Sequence, residues 1–188
     1  GANLNQVLTA LGLVAAEETV DIEFGANVRN SLSLANYLMS ASKRSPFAAL
    51  LLALQPQVKL ISGESVSLES FQKGDNQANT FVEGMEIVTP QCVEFESIGR
   101  SPKDLPLLSV VVATDKESGK RVVFGGMANG PITAVLGDDM DGGESFARDL
   151  LKYAADEWAS AEYRAEIAPI LLSRALAKCH LHSVTEGR

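Results

Sequence analysis

Leu107-Leu108-Ser109-Val110-Val111-Val112-Ala113-Thr114, then Asp115-Lys116-Glu117-Ser118-Gly119-Lys120, then Arg121-Val122-Val123-Phe124 is the stretch whose reading decides the fold class. The two outer runs are rich in β-branched residues and read as strands. The polar segment between them, with Gly119 near its end, reads as a hairpin turn. Working outward, Met85 to Val88 and Val93 to Ser97 are strand candidates upstream, and Ile132 to Leu136 is either a further strand or the lead into a helix. Two helices should follow. One runs from about Glu144 to Trp158 with Phe146, Leu150, Leu151 and Ala154 on one face; the other runs from Ser160 to about Cys179, with Pro169 kinking it or marking its true start.

The N-terminal half has a different rhythm. Leu4, Val7, Leu8, Leu11 and Val14 recur at helical spacing, with Asn3 placed to cap. An extended stretch is expected over Asp21 to Phe24, running into a turn at Gly25-Ala26-Asn27. Leu34, Tyr37 and Leu38 fit a second helix. Ser45-Pro46 reads as an N-cap followed by proline at the first helical position, and the apolar run Phe47 to Leu54 continues that helix into the interior until Pro56 ends it. Val58 to Ile61 reads as a strand with a short return at Val66, and the polar segment Phe71 to Asn79 as an exposed loop. The class is therefore α+β, divided near Pro90 into lobes 1–89 and 90–188.

Composition narrows the function. Apolar residues make up 46% and charged residues 21%, ordinary for a globular chain. The net charge of −8 speaks against nucleic acid, and no apolar run reaches membrane-spanning length. A soluble, cytoplasmic protein is expected. The acidic run that includes Asp138, Asp139 and Asp141 reads as solvated surface. Cys92 and Cys179 form no CxxC pair, so a reducing compartment is the default and a disulfide scaffold is not expected. Two thiols cannot build an iron–sulfur or zinc site that needs four thiolates, His180 and His182 are the only imidazoles and read as a metal contact only as a minor alternative, and no Ser–His–Asp or Cys–His arrangement stands out. No catalytic or metal-ligating residue is assigned, and any chemistry would come from a cofactor or partner.

Several motifs taken in order carry a resemblance: LTALGLVAAEETVDIEFGANV (Leu8 to Val28), SPFAALLLALQPQVKL (Ser45 to Leu60), FESIGRSPKDLPLLSVVVAT with VVFGGMANGPITAVL (within Phe95 to Leu136), and Ser160-Ala161-Glu162-Tyr163-Arg164. Over about residues 4 to 179 they resemble the FAD-binding subunit of the molybdenum hydroxylases, the xanthine dehydrogenase and carbon monoxide dehydrogenase family, without its N-terminal flavin-binding lobe. The resemblance implies a lobe from the FAD-binding domain, followed by a lobe like the C-terminal domain of the carbon monoxide dehydrogenase flavoprotein, a three-stranded antiparallel sheet with helices. It implies electron relay between iron–sulfur clusters and an acceptor through FAD. Partner subunits would carry molybdopterin and iron–sulfur centres, and self-association through apolar surface is a further expectation.

By the same resemblance Gly25, Ala26, Asn27 and Asp104 are the candidate cofactor-binding residues, with Gly125-Gly126 a sharp backbone bend. Tyr163 reads as a core aromatic and Arg164 as a surface ion-pair partner. The chain departs from the family at Ala26, at Ala49 where a cofactor-facing Asp is usual, and at Glu96 where the charge is reversed. Those departures motivate an alternative reading, a non-enzymatic scaffold or subunit-docking module.

Overall fold

The computed structural model describes residues 2–73, 81–115, 119–137 and 143–186, and for 182–186 the backbone alone. The acidic run at Asp138, Asp139 and Asp141 and the His182 side chain lie outside the described residues.

The N-terminal half is a helical layer with a small sheet. Helix α1 (Leu4–Leu11) begins on a full capping box, with Asn3 and Gln6 exchanging hydrogen bonds. Helix α2 (Val14–Glu23) includes most of the stretch expected to be extended; only Phe24 is. Its buried residues, Ala15, Ala16, Thr19 and Val20, recur on one helical face, and that face packs on the buried helix α5 (Pro46–Ala53). Gly25-Ala26-Asn27 is likewise no free turn: Gly25 is the N-cap of the short helix α3 (Ala26–Ser31), at φ −70°. Helix α4 (Leu34–Ser40) starts on a Ser33 cap.

Helix α5 has the expected form. Ser45 caps it by accepting from the Ala48 N–H, Pro46 occupies the first turn, and all eight of its residues are buried. Burying one such Leu or Phe side chain contributes roughly 1.5–3 kcal/mol, so an eight-residue helix apolar on every side makes sense only with partners all round. Strands β1 (Gln57–Leu60), β2 (Ser65–Ser67) and β3 (Val82–Glu86) form a three-stranded antiparallel sheet in the order β2-β1-β3, with Val58 opposite Met85. Helix α6 (Leu68–Lys73) takes the beginning of the expected loop because Phe71 is buried; residues 74–80 lie outside the described residues.

The second half is a meander, β4 (Cys92–Ile98), β5 (Leu108–Thr114), β6 (Lys120–Gly125) and β7 (Ile132–Leu136), with helices α7 (Gly143–Leu151) and α8 (Ala161–Glu186). The α+β class stands, and the meander has a fourth strand, because Ile132 to Leu136 pairs along β6. Alternation along β5 explains the layering. Leu108, Val110 and Val112 join Val122, Phe124 and the apolar face of α7 and α8. Val111 and Ala113 join Phe95, Val123 and helix α5 on the other side. The sheet is thus the shared middle layer between α5 and α8.

Three details near α8 differ from expectation. Helix α7 stops at Leu151, because Asp156 folds the following segment by accepting the N–H groups of Trp158 and Ala159. Helix α8 runs unbroken through Pro169. Cys92, at the start of edge strand β4, and Cys179 on α8 form a disulfide spanning 87 residues, contrary to the reduced thiols expected from the cysteine count. Their spacing in sequence held no sign of it; β4 and α8 bring the two together in space. No helix among the described residues is long and apolar enough to cross a membrane.

Candidate functional site

Three consecutive residues, Arg44-Ser45-Pro46, join the two halves at the N-terminus of α5. On one side Ser45 Oγ donates to Glu23 Oε2 at 2.5 Å, lies 2.6 Å from Tyr37 Oη, and accepts the Ala48 N–H at 3.0 Å. The Glu23 carboxyl also meets the Phe47 N–H, so it closes the positive end of α5. Burial still dominates there: desolvation outweighs the hydrogen bonds from Ser45 and Phe47 and pushes the Glu23 carboxyl up to about 7. Burial, with the nearby Glu23 charge, also raises the Tyr37 hydroxyl. Tyr37 is fixed between Phe24, edge-on with ring centres at 6.0 Å, and Phe47 at 5.2 Å.

On the other side Arg44 reaches into the meander. Its Nε donates to Gly126 O at 2.9 Å, and its Nη2 donates to Pro106 O at 2.9 Å and Leu105 O at 3.3 Å. Its guanidinium lies 4.2 Å from the centre of the Trp158 ring, and that of Arg100 lies 5.3 Å from it. Carbonyls converge there because of Gly125 and Gly126. A Cβ at Gly126, where φ is +91°, would stand 2.8 Å from Pro106 O; one at Gly125 would stand 2.7 Å from Ser109 Oγ and 3.0 Å from Ala49 Cβ. The expected bend and close packing at Gly125-Gly126 are therefore present.

The sequence-derived site residues sit around this junction. Glu23, on the junction itself, lies two residues before Gly25. Gly25, Ala26 and Asn27 are all exposed at the start of α3, and a Cβ on Gly25 would meet nothing within 4 Å. Asp104 lies in the loop before β5, its side chain 44% exposed and 3.8 Å from Arg100. Among the described residues no hydrogen bond or ion pair ties Asp104 to Gly25–Asn27, and none of these residues lines any of the four clefts described. The family departures also find places. Ala49 is fully buried against the sheet, its Cβ 3.0 Å from where a Cβ on Gly125 would stand, so a carboxylate there would crowd that strand. Glu96 pairs with Lys178 of α8 at 2.7 Å.

Sequence reasoning missed the residues that hold the junction. Arg164, expected on the surface, is fully buried, and Tyr163 is only half-buried. Arg164 Nε donates to Leu107 O, Nη1 to Ala154 O, and Nη2 to both oxygens of Asp156, whose remaining bonds come from the Ala128, Trp158 and Ala159 N–H groups. Burial raises the Asp156 carboxyl, but the Arg164 guanidinium and the three backbone N–H groups outweigh it and hold the carboxyl well below the usual range. Nothing in the local sequence separates a buried arginine from an exposed one at such a position.

An FAD needs backbone donors for its pyrophosphate and an apolar slot for its ring. Among the described residues, the N-terminus of α5 is already closed by Glu23 and Ser45, and the exposed Gly25–Asn27 segment borders none of the clefts described.

No protein-family model matches the sequence, and no curated protein matches it. Solved structures do match. A chain of the reconstituted CO dehydrogenase from Oligotropha carboxidovorans superposes with a TM-score of 0.71 at 17% identity, over 96% of this chain and 73% of that one. A chain of the Hydrogenophaga pseudoflava carbon monoxide dehydrogenase that lacks the Mo-pyranopterin moiety of its cofactor gives 0.73 at 16% identity, over 94% and 70%. A chain of quinoline 2-oxidoreductase from Pseudomonas putida 86 gives 0.64 at 22% identity, over 82% and 62%. The likeness to the molybdenum hydroxylases read from the sequence motifs is thus borne out as a likeness of fold: this protein is folded like a chain of carbon monoxide dehydrogenase.

Proposed function

We propose that this chain is a module of a molybdopterin-dependent oxidoreductase, assembling with subunits that carry molybdopterin and iron–sulfur centres. The observation that carries the reading is the likeness of fold to carbon monoxide dehydrogenase chains over 96% of this chain. Within such an assembly two roles are open to it. Electron relay between iron–sulfur clusters and an acceptor through FAD is supported by the open backbone at Gly25, where nothing lies within 4 Å of a Cβ. A scaffold or docking role is supported by the closed N-terminus of α5 and by the position of Ala49 against Gly125. The geometry favours the docking role, and no chemical step is assigned to the chain.

The experiment is native purification through a tag on this chain, followed by metal analysis of the eluted species. Molybdenum and iron co-eluting with the chain in a fixed ratio support the reading. A metal-free species containing this chain alone contradicts it.

A further inference from the structure

Among the described residues three arginines are buried, and two of them make several hydrogen bonds. Arg164 donates to two carbonyls and both oxygens of Asp156, and Arg44 donates to three carbonyls and lies on an indole face. Arg121 is as buried as Arg44, each 9% exposed, yet gives a single hydrogen bond, from Nη1 to Ala53 O at 3.3 Å. A guanidinium has five N–H donors, and no nitrogen of Arg121 is both buried and unpartnered, so the donors not used on Ala53 O stay open to solvent, where an acidic ligand group can accept from them. Arg121 borders a cleft of about 520 Å³, which also contains Gln55, Thr89, Gln91 and Thr114, with Leu54 and Pro90 as apolar wall. That volume suits a small molecule.

A second observation points to the same place. Gln55 is the one non-glycine residue among those described with a positive φ, at +47°. It follows the C-cap of α5, where a glycine would adopt this conformation without strain. A glutamine there carries a backbone strain that glycine would not, and it brings an amide to the rim of the cleft.

We propose that the cleft bounded by Gln55, Gln91 and Arg121 binds a small organic monocarboxylate, with its carboxylate on the Arg121 guanidinium and its remainder against the amides and the apolar wall. The planar fork of arginine matches a carboxylate. The charge setting selects a single negative charge over two. Asp115 lines the same cleft, Glu69 adds a second negative field at Arg121, and the chain carries a net charge of −8, so a phosphate dianion meets more repulsion.

The test is an amide NMR titration of the wild-type chain with benzoate, acetate and inorganic phosphate. Saturable benzoate binding is expected, with shifts centred on residues 55, 91, 114 and 121, and phosphate weaker by about tenfold or more. Arg121→Gln should weaken benzoate about tenfold or more. Because that variant also loses the bond to Ala53, Gln55→Gly is the second arm: it should raise the melting temperature while weakening benzoate by about threefold or more, since it removes the strain together with the amide. The proposal is overturned if benzoate does not saturate, if phosphate binds as tightly, or if Gln55→Gly leaves the affinity unchanged.

Discussion

A single nitrogen of Arg164, Nη2, donates to both carboxylate oxygens of Asp156, at 2.8 and 2.9 Å, and neither side chain has appreciable contact with water. The pair ties the first turn of α8 to the segment after α7, and Asp156 carries the link on to Ala128, just beyond the Gly125-Gly126 bend. Removing one partner strands the other charge in the interior. Arg164→Met or Asp156→Ala should therefore lower unfolding stability by about 3–5 kcal/mol in urea titrations, whereas the double variant should cost less than the sum of the two.

Glu23 gives a pH dependence of defined sign. Its carboxyl sits at about 7 in the folded chain against 4.5 unfolded. The folded state thus holds a proton that the unfolded state has lost, and the associated stability is fully present below about 4.5 and lost as pH rises through about 7. Glu23→Gln, which keeps the acceptor for Ser45 and Phe47, should flatten that slope. At pH 8 it should stabilise the protein by about 1–3 kcal/mol, read from urea midpoints at a series of pH values.

The glycines separate structural from open positions. Gly126→Ala meets a carbonyl at 2.8 Å from a left-handed backbone, and Gly125→Ala meets Ser109 and Ala49. Each should cost about 1–3 kcal/mol. Gly25→Ala, with nothing within 4 Å, should cost less than about 1 kcal/mol, the difference between glycine and alanine as an N-cap. Thermal melts of the three variants check this ordering.

Ser109 Oγ is buried and has no hydrogen-bond partner. Ser109→Ala should accordingly raise stability by about 1 kcal/mol, because it deletes an unsatisfied hydroxyl at little cost in volume.

Reducing the Cys92–Cys179 disulfide releases a closure of 87 residues and frees α8 from the edge of the sheet. The expected loss is about 2–4 kcal/mol, seen as a lower melting temperature with a phosphine reductant and no such change in the Cys92→Ser variant, which already melts low.

How much of this was legible in the sequence depended on whether the deciding interaction was local. The antiparallel pairing of β5 with β6, the Asn3 and Ser45 caps and the buried helix after Pro46 follow from neighbouring residues and agree with the structure, while residues 116–118 of the expected turn lie outside the described residues. Asp21–Glu23 stays helical because its helix packs on α5, a tertiary contact that overrides the β-favouring Val20 and Ile22. Helix α7 stops early because Asp156 finds Arg164, and Cys92 meets Cys179 only once α8 lies on β4. The exposure of Gly25, Ala26, Asn27 and Asp104, and the turning of Ala49 toward Gly125, depend on the same long-range packing. A motif reading could place those residues near a junction, but it could not tell which way they face.

The preference for a docking role over FAD relay turns on the N-terminus of α5 being filled by the chain's own Glu23 and Ser45. It is tested most directly by titrating the purified chain with FAD, following the flavin band near roughly 450 nm and the melting temperature together. The account predicts unchanged flavin fluorescence and an unmoved melting temperature. A saturable, stoichiometric yellow complex with a raised melting temperature, lost on substituting Asn27, would contradict it.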